Sequence, residues 1–394
     1  MSQNRRKTSS NRRRSGNEAR GPAAVIFMII IGIVYLLQQY QSGDLTLPDP
    51  EITAPAAQEN SGSQAQVDRG APQAGAPPAS QPGGDAMQVW FTDPLHPDQP
   101  GPENQLIDAI NNAQQTIDMA MYNLTMDSVS DALITAHQRG VVVRLVMESE
   151  SMEKDVPQAL ARAGIPIQGD NREGLMHNKF VVIDGQEVWG GSLNLARGAA
   201  YGDFNNLVRL RSQRLAQNYT VNFDEMFVDG LFGPSKRANT PYPHVTVDGE
   251  TVEVYFSPDD GVAEKVVEAI RAARTSIDFM VYSFTSDEIA QAIEERAASG
   301  VQVRGVFDES QRESNKGTEF EPLQAAGLDV RLDGISGLLH HKVFIIDRQV
   351  VITGSYNFSA NAERSNDENL LILHSPDLAA RYLDEFQMVY ENGK

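Results

Sequence analysis

The sequence predicts an α/β protein built from two similar α/β domains related by a pseudo-twofold axis, with one active site at their junction. Three observations carry this. Residues 116–148 and 276–308 read in parallel, TIDMAMYNLTMDSVSDALITAHQRGVVVRLVME against SIDFMVYSFTSDEIAQAIEERAASGVQVRGVFD. Within each copy, short β-rich runs alternate with segments of helical apolar spacing. A second pair of segments, GLMHNKFVVIDGQEVWGGSLN at 174–194 and GLLHHKVFIIDRQVVITGSYN at 337–357, repeats one set of polar residues in one order.

The chain opens on a basic tail, residues 1–22, with Arg5, Arg6, Lys7, Arg12, Arg13, Arg14 and Arg20 against Glu18. The uncharged run AAVIFMIIIGIVYLL follows. With its flanks it forms an expected transmembrane anchor over 23–40, which leaves the tail cytoplasmic and the rest of the chain on the far side. A cleavable signal peptide is the alternative, and the protein would then be secreted. Residues 41–86 are rich in Pro, Ala, Gln, Gly and Ser, too poor in large apolar groups to form a core, and read as a disordered tether. The two domains are expected over 87–235 and 250–394.

Composition limits the chemistry. The 394 residues suffice for two ordinary domains, and the absence of cysteine removes disulfides, thiolate metal sites and cysteine nucleophiles. The formal net charge is −20, and the basic tail makes the remainder more acidic still. Such a surface repels long polyanions unless a local patch dominates.

Each domain reads in the same order. Residues 89–91 and 252–256 begin a strand, and 117–122 and 277–282 are β-rich. Residues 127–138 and 287–298 have helical spacing, the second with a capping box expected at Thr285-x-x-Glu288. Residues 141–147 and 301–307 are nearly continuous apolar strands, as in a sheet covered on both faces. Tyr122 matches Tyr282, Gly140 Gly300 and Arg144 Arg304. After a longer loop, Gly164 matches Gly327, and Tyr219 and Phe223 match Tyr382 and Phe386.

The chemistry lies in the second repeat. Side chains alternate faces along a strand, so His177 and Lys179 share a face, as do His340 and Lys342, while His341 points the other way. Ser192 and Asn194, and Ser355 and Asn357, share a face in the same manner. The convergent set is imidazole, ammonium, hydroxyl and carboxamide, supplied twice. It suits an anion whose charge grows in the transition state, and a phosphodiester fits. Paired lysines repel a divalent cation, so neither a metal nor another cofactor is expected. One neutral histidine can attack phosphorus while the other, protonated, serves the leaving alkoxide and then activates water. Asp184 and Asp347 are candidates for chemistry or for fixing the turn that follows the strand. His96, His137, His244 and His374 lack repeated context and read as surface groups. Trp90, Trp189, Met119 and Met121 read as core.

These segments resemble the phospholipase D superfamily, whose mark is His-x-Lys-x4-Asp followed by Gly-Ser-x-Asn. Here it stands as HNKFVVID with GGSLN and as HHKVFIID with GSYN. The likeness covers residues 87–391. It implies two phospholipase D-like domains whose motifs meet in one site, a phosphohistidine intermediate without metal, and a layout like that of bacterial cardiolipin hydrolase-like enzymes and small endonucleases. It also implies an acidic residue after each motif that backs the histidine of the opposite half. SNDENLLIL supplies Glu368, but YGDFNNLVRL places Asn205 in the matching register, near Asp203. His177, backed by Glu368, is then the better nucleophile, and His340, backed by Asn205 or by nearby Asp203, the acid.

The expected catalytic set is His177, Lys179, Asp184, His340, Lys342, Asp347 and Glu368, with Ser192, Asn194, Ser355 and Asn357 binding substrate. The leading function is hydrolysis of a glycerophospholipid to phosphatidate and a head-group alcohol, with the membrane reached through the anchor. The second reading is a nuclease for single strands, which needs a basic lip from Arg172, Arg197, Arg209 or Arg364. The third is a tethered binding protein without activity. One chain holds both motifs, so a monomer suffices.

Overall fold

The computed structural model describes residues 86–394. The tail, the expected anchor and the tether up to residue 85 lie outside the described residues. Among the described residues, no helix is long and apolar enough to cross a membrane.

Two mixed sheets form the framework. The first contains β1 (Met87–Phe91), β2 (Thr116–Met121), β3 (Val142–Met147), β4 (Ile167–Gly169), β5 (Lys179–Ile183), β6 (Glu187–Gly191) and β7 (Asn206–Arg211) in the order β1-β7-β6-β5-β2-β3-β4. The second contains β8 (His244–Val247), β9 (Glu250–Ser257), β10 (Ser276–Val281), β11 (Gln302–Phe307), β12 (Asp329–Leu332), β13 (Lys342–Ile346), β14 (Val350–Gly354) and β15 (Glu368–His374). Its order is β12-β11-β10-β13-β14-β15-β9-β8. Parallel pairs β2–β3 and β10–β11 each need a crossover, supplied by helices Asp127–Gln138 and Asp287–Ala298. Both helices turn an apolar stripe inward, with Val129, Leu133 and Ala136 buried in one and Ile289, Ala292 and Ile293 in the other.

Two local expectations are corrected. Helix Asp287–Ala298 starts after Ser286, which makes no side-chain cap. Thr285 and Glu288 are therefore out of register for a capping box, and Asp287 and Glu288 instead place charge in the first turn, where the helix dipole favours it. The second sheet also begins ahead of residue 250. Asp248 and Gly249 both take positive φ, 50° and 86°, and close a hairpin between β8 and β9. This is the Asp-Gly turn that alternating flanks select.

Among the described residues, three apolar clusters form the core. One lies within each repeat, between a sheet and its outer helices. The third is shared: Phe180, Tyr219 and Phe223 of the first repeat pack with Phe256, Tyr382 and Phe386 of the second. Helices Gln213–Phe227 and Pro376–Asn392 supply most of its aromatic rings. The repeated arginines hold these helices to the strands. Arg144 bonds Asp118 at 2.7 Å and covers Phe223, and Arg304 bonds Asp278 at 2.7 Å and covers Phe386. Burying this shared face stabilises the contact between the sheets, and the junction is where the motif residues end up.

Candidate active site

Each histidine is delivered by a segment that crosses to the other half. Just before β5, Met176 bridges Asp367, and the His177 N–H donates to the Asp367 carbonyl at 3.0 Å. Just before β13, Leu339 bridges Phe204, and the His340 N–H donates to the Phe204 carbonyl at 2.9 Å. Buried carboxylates fix the residue ahead of each histidine: Glu148 accepts from the Met176 N–H at 2.9 Å, and Asp308 from the Leu339 N–H at 2.8 Å.

The imidazoles are buried, each 6 % exposed, and differ in what backs them. His177 Nδ1 is 2.7 Å from Oε2 of Glu368, a carboxylate that also accepts from Ser355 Oγ at 2.7 Å and Asn366 Nδ2 at 3.1 Å. His340 Nδ1 faces Oδ1 of Asn205 at 2.8 Å and the Ser192 carbonyl at 3.1 Å. The Asn205 amide has a fixed orientation, because its nitrogen donates to the Ala199 carbonyl at 3.0 Å and its oxygen accepts from Ser192 Oγ at 2.9 Å. Both rings therefore keep Nδ1–H toward the protein and leave Nε2 for other partners. Asp203 does not back His340; it accepts from the Leu338 N–H at 2.9 Å.

The lysines are buried too. Lys179 Nζ donates to the His177 carbonyl at 2.7 Å, and Lys342 Nζ to the His340 carbonyl at 2.8 Å. Tyr122 covers Lys179 at 5.0 Å and meets the His177 ring edge-on at 4.9 Å. Tyr282 does the same for Lys342 and His340, at 4.8 Å each. An aromatic face replaces some of the water an ammonium loses on burial. The tyrosine pair matched in the sequence repeat thus belongs to the site, which its spacing alone does not show.

Burial sets the protonation states. It pushes Lys179 down to about 7, with Glu368 opposing. Burial and the nearby Lys179 push Lys342 well below its usual value. Burial lowers His177 to about 4 although Glu368 pulls upward, and Lys179 and Lys342 add to the lowering. Burial and both lysines hold His340 well below its usual value. Each lysine thus acts on both imidazoles, which ties the two half-sites into one electrostatic unit. Burial opposes ionisation of Glu368, yet its bonds and charges from His177, Lys179 and Ser355 bring it below the ordinary carboxylate value.

The Gly-Ser-x-Asn segments have a steric logic. Gly191 and Gly354 take φ of 142° and 148°, and a Cβ on them would come within 2.5 Å of the Asn206 carbonyl oxygen and 2.3 Å of that of Asn369. Only glycine permits that approach. The serine hydroxyls lie behind the imidazoles, on Asn205 and Glu368. Asn194 and Asn357 are half-buried, and both amide oxygens lack a partner among the described residues.

Asp184 and Asp347 are not brought to the histidines. They follow the far ends of β5 and β13, whose first residues are Lys179 and Lys342. Asp184 accepts from the N–H groups of Gln114, Gln115 and Thr116, the closest at 2.6 Å. Asp347 accepts from those of Arg274, Thr275 and Ser276, again with 2.6 Å the shortest. Both have φ of 53°, which aspartate tolerates better than most residues. Seven residues of extended chain span roughly 23 Å, so these are turn-fixing groups.

Cross-half pairs missed in the sequence complete the junction. Asn369 Nδ2 donates to Asn178 Oδ1 at 2.8 Å, and Asn206 Nδ2 lies 3.1 Å from His341 Nδ1. His341 is fully buried, with Nε2 3.2 Å from Glu385. Its signal is the position alternating with His340 and Lys342, which turns it to the opposite face, where it meets Asn206 of the other half and Glu385 of its own. The basic lip is reduced: Arg172 is engaged with Asp367 at 2.6 Å, and Arg209 lies over Trp90 and Trp189 beside a groove that Asp184 also lines. His96, His244 and His374 are exposed and pair with acids, while His137 is half-buried.

Comparison with known proteins agrees with this geometry. The family described as cardiolipin synthase, PLD-like domain, matches residues 106–227 and again 266–390. A Rickettsia bellii protein named phospholipase D is 33 % identical over 162 residues, covering 40 % of this chain and 80 % of that protein. Human mitochondrial cardiolipin hydrolase is 34 % identical over 132 residues, covering 34 % of this chain and 52 % of the human protein. The fold of phosphatidylserine synthase from Haemophilus influenzae Rd KW20 superposes with a TM-score of 0.62 at 13 % identity, over 79 % of this chain and 87 % of that one. With the family pattern matched in both repeats, the chain belongs to the phospholipase D superfamily, in the family of cardiolipin synthase PLD-like domains.

Proposed function

We propose that this protein is a metal-independent phosphodiesterase of phospholipase D type that hydrolyses a glycerophospholipid to phosphatidate and a head-group alcohol. The observation that carries the division of labour is the unequal backing of the two imidazoles, Glu368 on His177 and Asn205 on His340. A carboxylate raises the basicity of its imidazole and stabilises positive charge on it, while an amide offers only a dipole.

His177, neutral with Nδ1–H on Glu368, attacks phosphorus through Nε2. A P–N bond forms and the bond to the head-group oxygen breaks. His340 Nε2–H gives its proton to that oxygen as it leaves. His340 then takes a proton from water, the hydroxide attacks phosphorus, and the P–N bond breaks to release phosphatidate and neutral His177. An alcohol in place of water would give transphosphatidylation. Lys179 and Lys342, with Asn194 and Asn357, hold the non-bridging oxygens as charge builds on them. The anionic substrate supplies what burial took away: beside a phosphate, the lysines and His340 regain their protons.

Three things support a lipid substrate over a nucleic acid. The relatives above are named phospholipase D and cardiolipin hydrolase. The net charge of −20 opposes polyanions. The expected anchor over 23–40 would hold the catalytic region outside the cytoplasm beside a bilayer, with the tether giving reach. The test is a paired assay in EDTA on phospholipid vesicles and on single-stranded DNA. Release of phosphatidate, lost in His177→Asn, is the expected result. DNA cleavage alone would replace the lipid reading by the nuclease, and no cleavage of either, or of bis(p-nitrophenyl) phosphate, would leave a binding protein. With 32P-labelled substrate, label trapped on the His340→Asn protein but not on His177→Asn fits the assigned roles, and the opposite pattern reverses them.

A further inference from the structure

The two half-sites have the same bridges but different buttresses. At the His340 side, the residue bridged by Leu339 is Phe204, and Ile335 stands where the first repeat has Arg172. At the His177 side, the bridged residue is Asp367, fully buried and immediately before Glu368. Its Oδ2 accepts from Arg172 Nη2 at 2.6 Å, and its Oδ1 accepts from the Gly233 N–H at 2.8 Å. Lys236 Nζ stands 3.8 Å from that same oxygen and 3.8 Å from Asp259 Oδ1. The Lys236 side chain is 0 % exposed and its ammonium makes no hydrogen bond among the described residues.

The same arginine ties down both sides of the catalytic contact. Arg172 Nη1 donates to the Ser365 carbonyl at 2.6 Å and Nη2 to the Leu175 carbonyl at 3.3 Å. Leu175 N–H donates to Asn366 Oδ1 at 3.2 Å, and the Asp367 N–H returns to the Leu175 carbonyl at 2.8 Å. The guanidinium lies between two glycines: a Cβ on Gly174 or Gly233 would fall 2.2 or 2.4 Å from its nitrogen. Four segments of chain meet here, including the connection between the repeats, residues 228–243 from the end of helix Gln213–Phe227 to β8, which contributes Gly233 and Lys236. Burial raises the Asp367 carboxyl above its ordinary value, and Lys236, Arg172 and the Gly233 N–H are the compensation that opposes this rise. The apolar counterpart at Phe204 shows that the bridge itself does not require it.

We infer that Arg172 and Lys236, acting through Asp367, are positioning residues that hold Glu368 on Nδ1 of His177, so that the connection between the repeats makes the two half-sites unequal. They touch no reacting atom. They fix the backbone at 365–367, from which Glu368 reaches into the other half. This assignment rests on the proposed phosphodiesterase only for its effect on rate; the placement of Glu368 is a property of the resting protein.

The test uses the full chain with Lys236→Met, Asp367→Asn and the milder Arg172→Gln. The primary readout needs no substrate: the proton NMR resonances of the Nδ1–H groups of His177 and His340. His177 is faced by Glu368, Lys179, Lys342, His340 and Tyr122, none of which is altered. The expected result is that the His177 resonance moves upfield or is lost to exchange in all three variants, while that of His340 stays in place. Turnover of bis(p-nitrophenyl) phosphate should fall between about tenfold and a hundredfold, the scale for a misplaced catalytic group. An unmoved His177 resonance in a folded variant, or a parallel shift of both histidines as in general loosening, would overturn the inference. If Lys236→Met and Asp367→Asn do not fold, Arg172→Gln decides by the same criteria. If the wild-type protein turns over no phosphodiester, the proposed function fails while the NMR comparison still settles the positioning role.

Discussion

Glu368 and His177 lie 191 residues apart in sequence and 2.7 Å apart at the site, one contributed by each repeat. The carboxylate orients the ring, fixes its proton on Nδ1 and favours the imidazolium-like charge that builds when Nε2 attacks. Glu368→Gln keeps the shape and removes the charge. Turnover of bis(p-nitrophenyl) phosphate in EDTA should fall by roughly a hundredfold to a thousandfold. Turnover close to wild type would take Glu368 out of the chemistry.

Asn205→Asp is the reverse experiment, since the two side chains have nearly the same shape. It puts a carboxylate 2.8 Å from His340 Nδ1, the distance now spanned to the amide. His340 should then titrate at higher pH in an NMR titration. A more basic His340 gives its proton less readily to the leaving oxygen and takes one more readily from water, so less enzyme should be caught as phosphohistidine after a quench. An unchanged His340 titration would show that Asn205 does not govern this ring.

Anion binding should depend on pH through the buried ammonium groups. Burial lowers Lys179 to about 7, so the free protein holds that lysine neutral above this pH and charged below it. An anion favours the charged form, and binding above pH 7 must then take up a proton. Sulfate does not titrate in this range, so its dissociation constant reads the protein alone. Affinity should weaken by up to about tenfold per pH unit between roughly pH 7 and 9, with proton uptake visible by calorimetry in buffers of different ionisation enthalpy. A flat profile would contradict a neutral resting Lys179.

Asp184 and Asp347 should matter for stability and not for turnover. Each accepts three backbone N–H groups in a turn, and replacement by alanine should cost about 1–3 kcal/mol apiece in denaturant unfolding. Turnover per folded molecule should stay near wild type. Burial raises Asp347, but the N–H groups of Ser276, Thr275 and Arg274 outweigh it and depress the carboxyl below its ordinary 3.8. Stability from this depressed group is therefore present above about pH 4 and is lost as pH falls below it. A large loss of turnover in folded Asp184→Ala would return this residue to the catalytic set.

The repeat makes the fold class readable in the sequence. Apolar periodicity marked the crossover helices, and the duplicated His-x-Lys segments marked the site. Sequence and structure differ where the helix cap lies one residue out of register, at Ser286, and where the Asp248–Gly249 hairpin opens the second sheet. The grouping of Asp184 and Asp347 with the histidines came from their nearness along the motif. A β-strand undoes that nearness, because it carries its two ends apart at a fixed rise.

What the sequence by itself determined is the inventory: two imidazoles, two ammonium groups and one carboxylate against one amide, spaced so that strand alternation turns His177 with Lys179, and His340 with Lys342, to a common face. Only the tertiary structure decided the partners. Glu368 reaches His177 and Asn205 reaches His340 because a shared aromatic core packs the two sheets together and each histidine segment bridges to the other half. It also decided the charges, since the lowered values of Lys179 and both histidines follow from burial, and burial is a property of the assembled junction that no local stretch of chain contains.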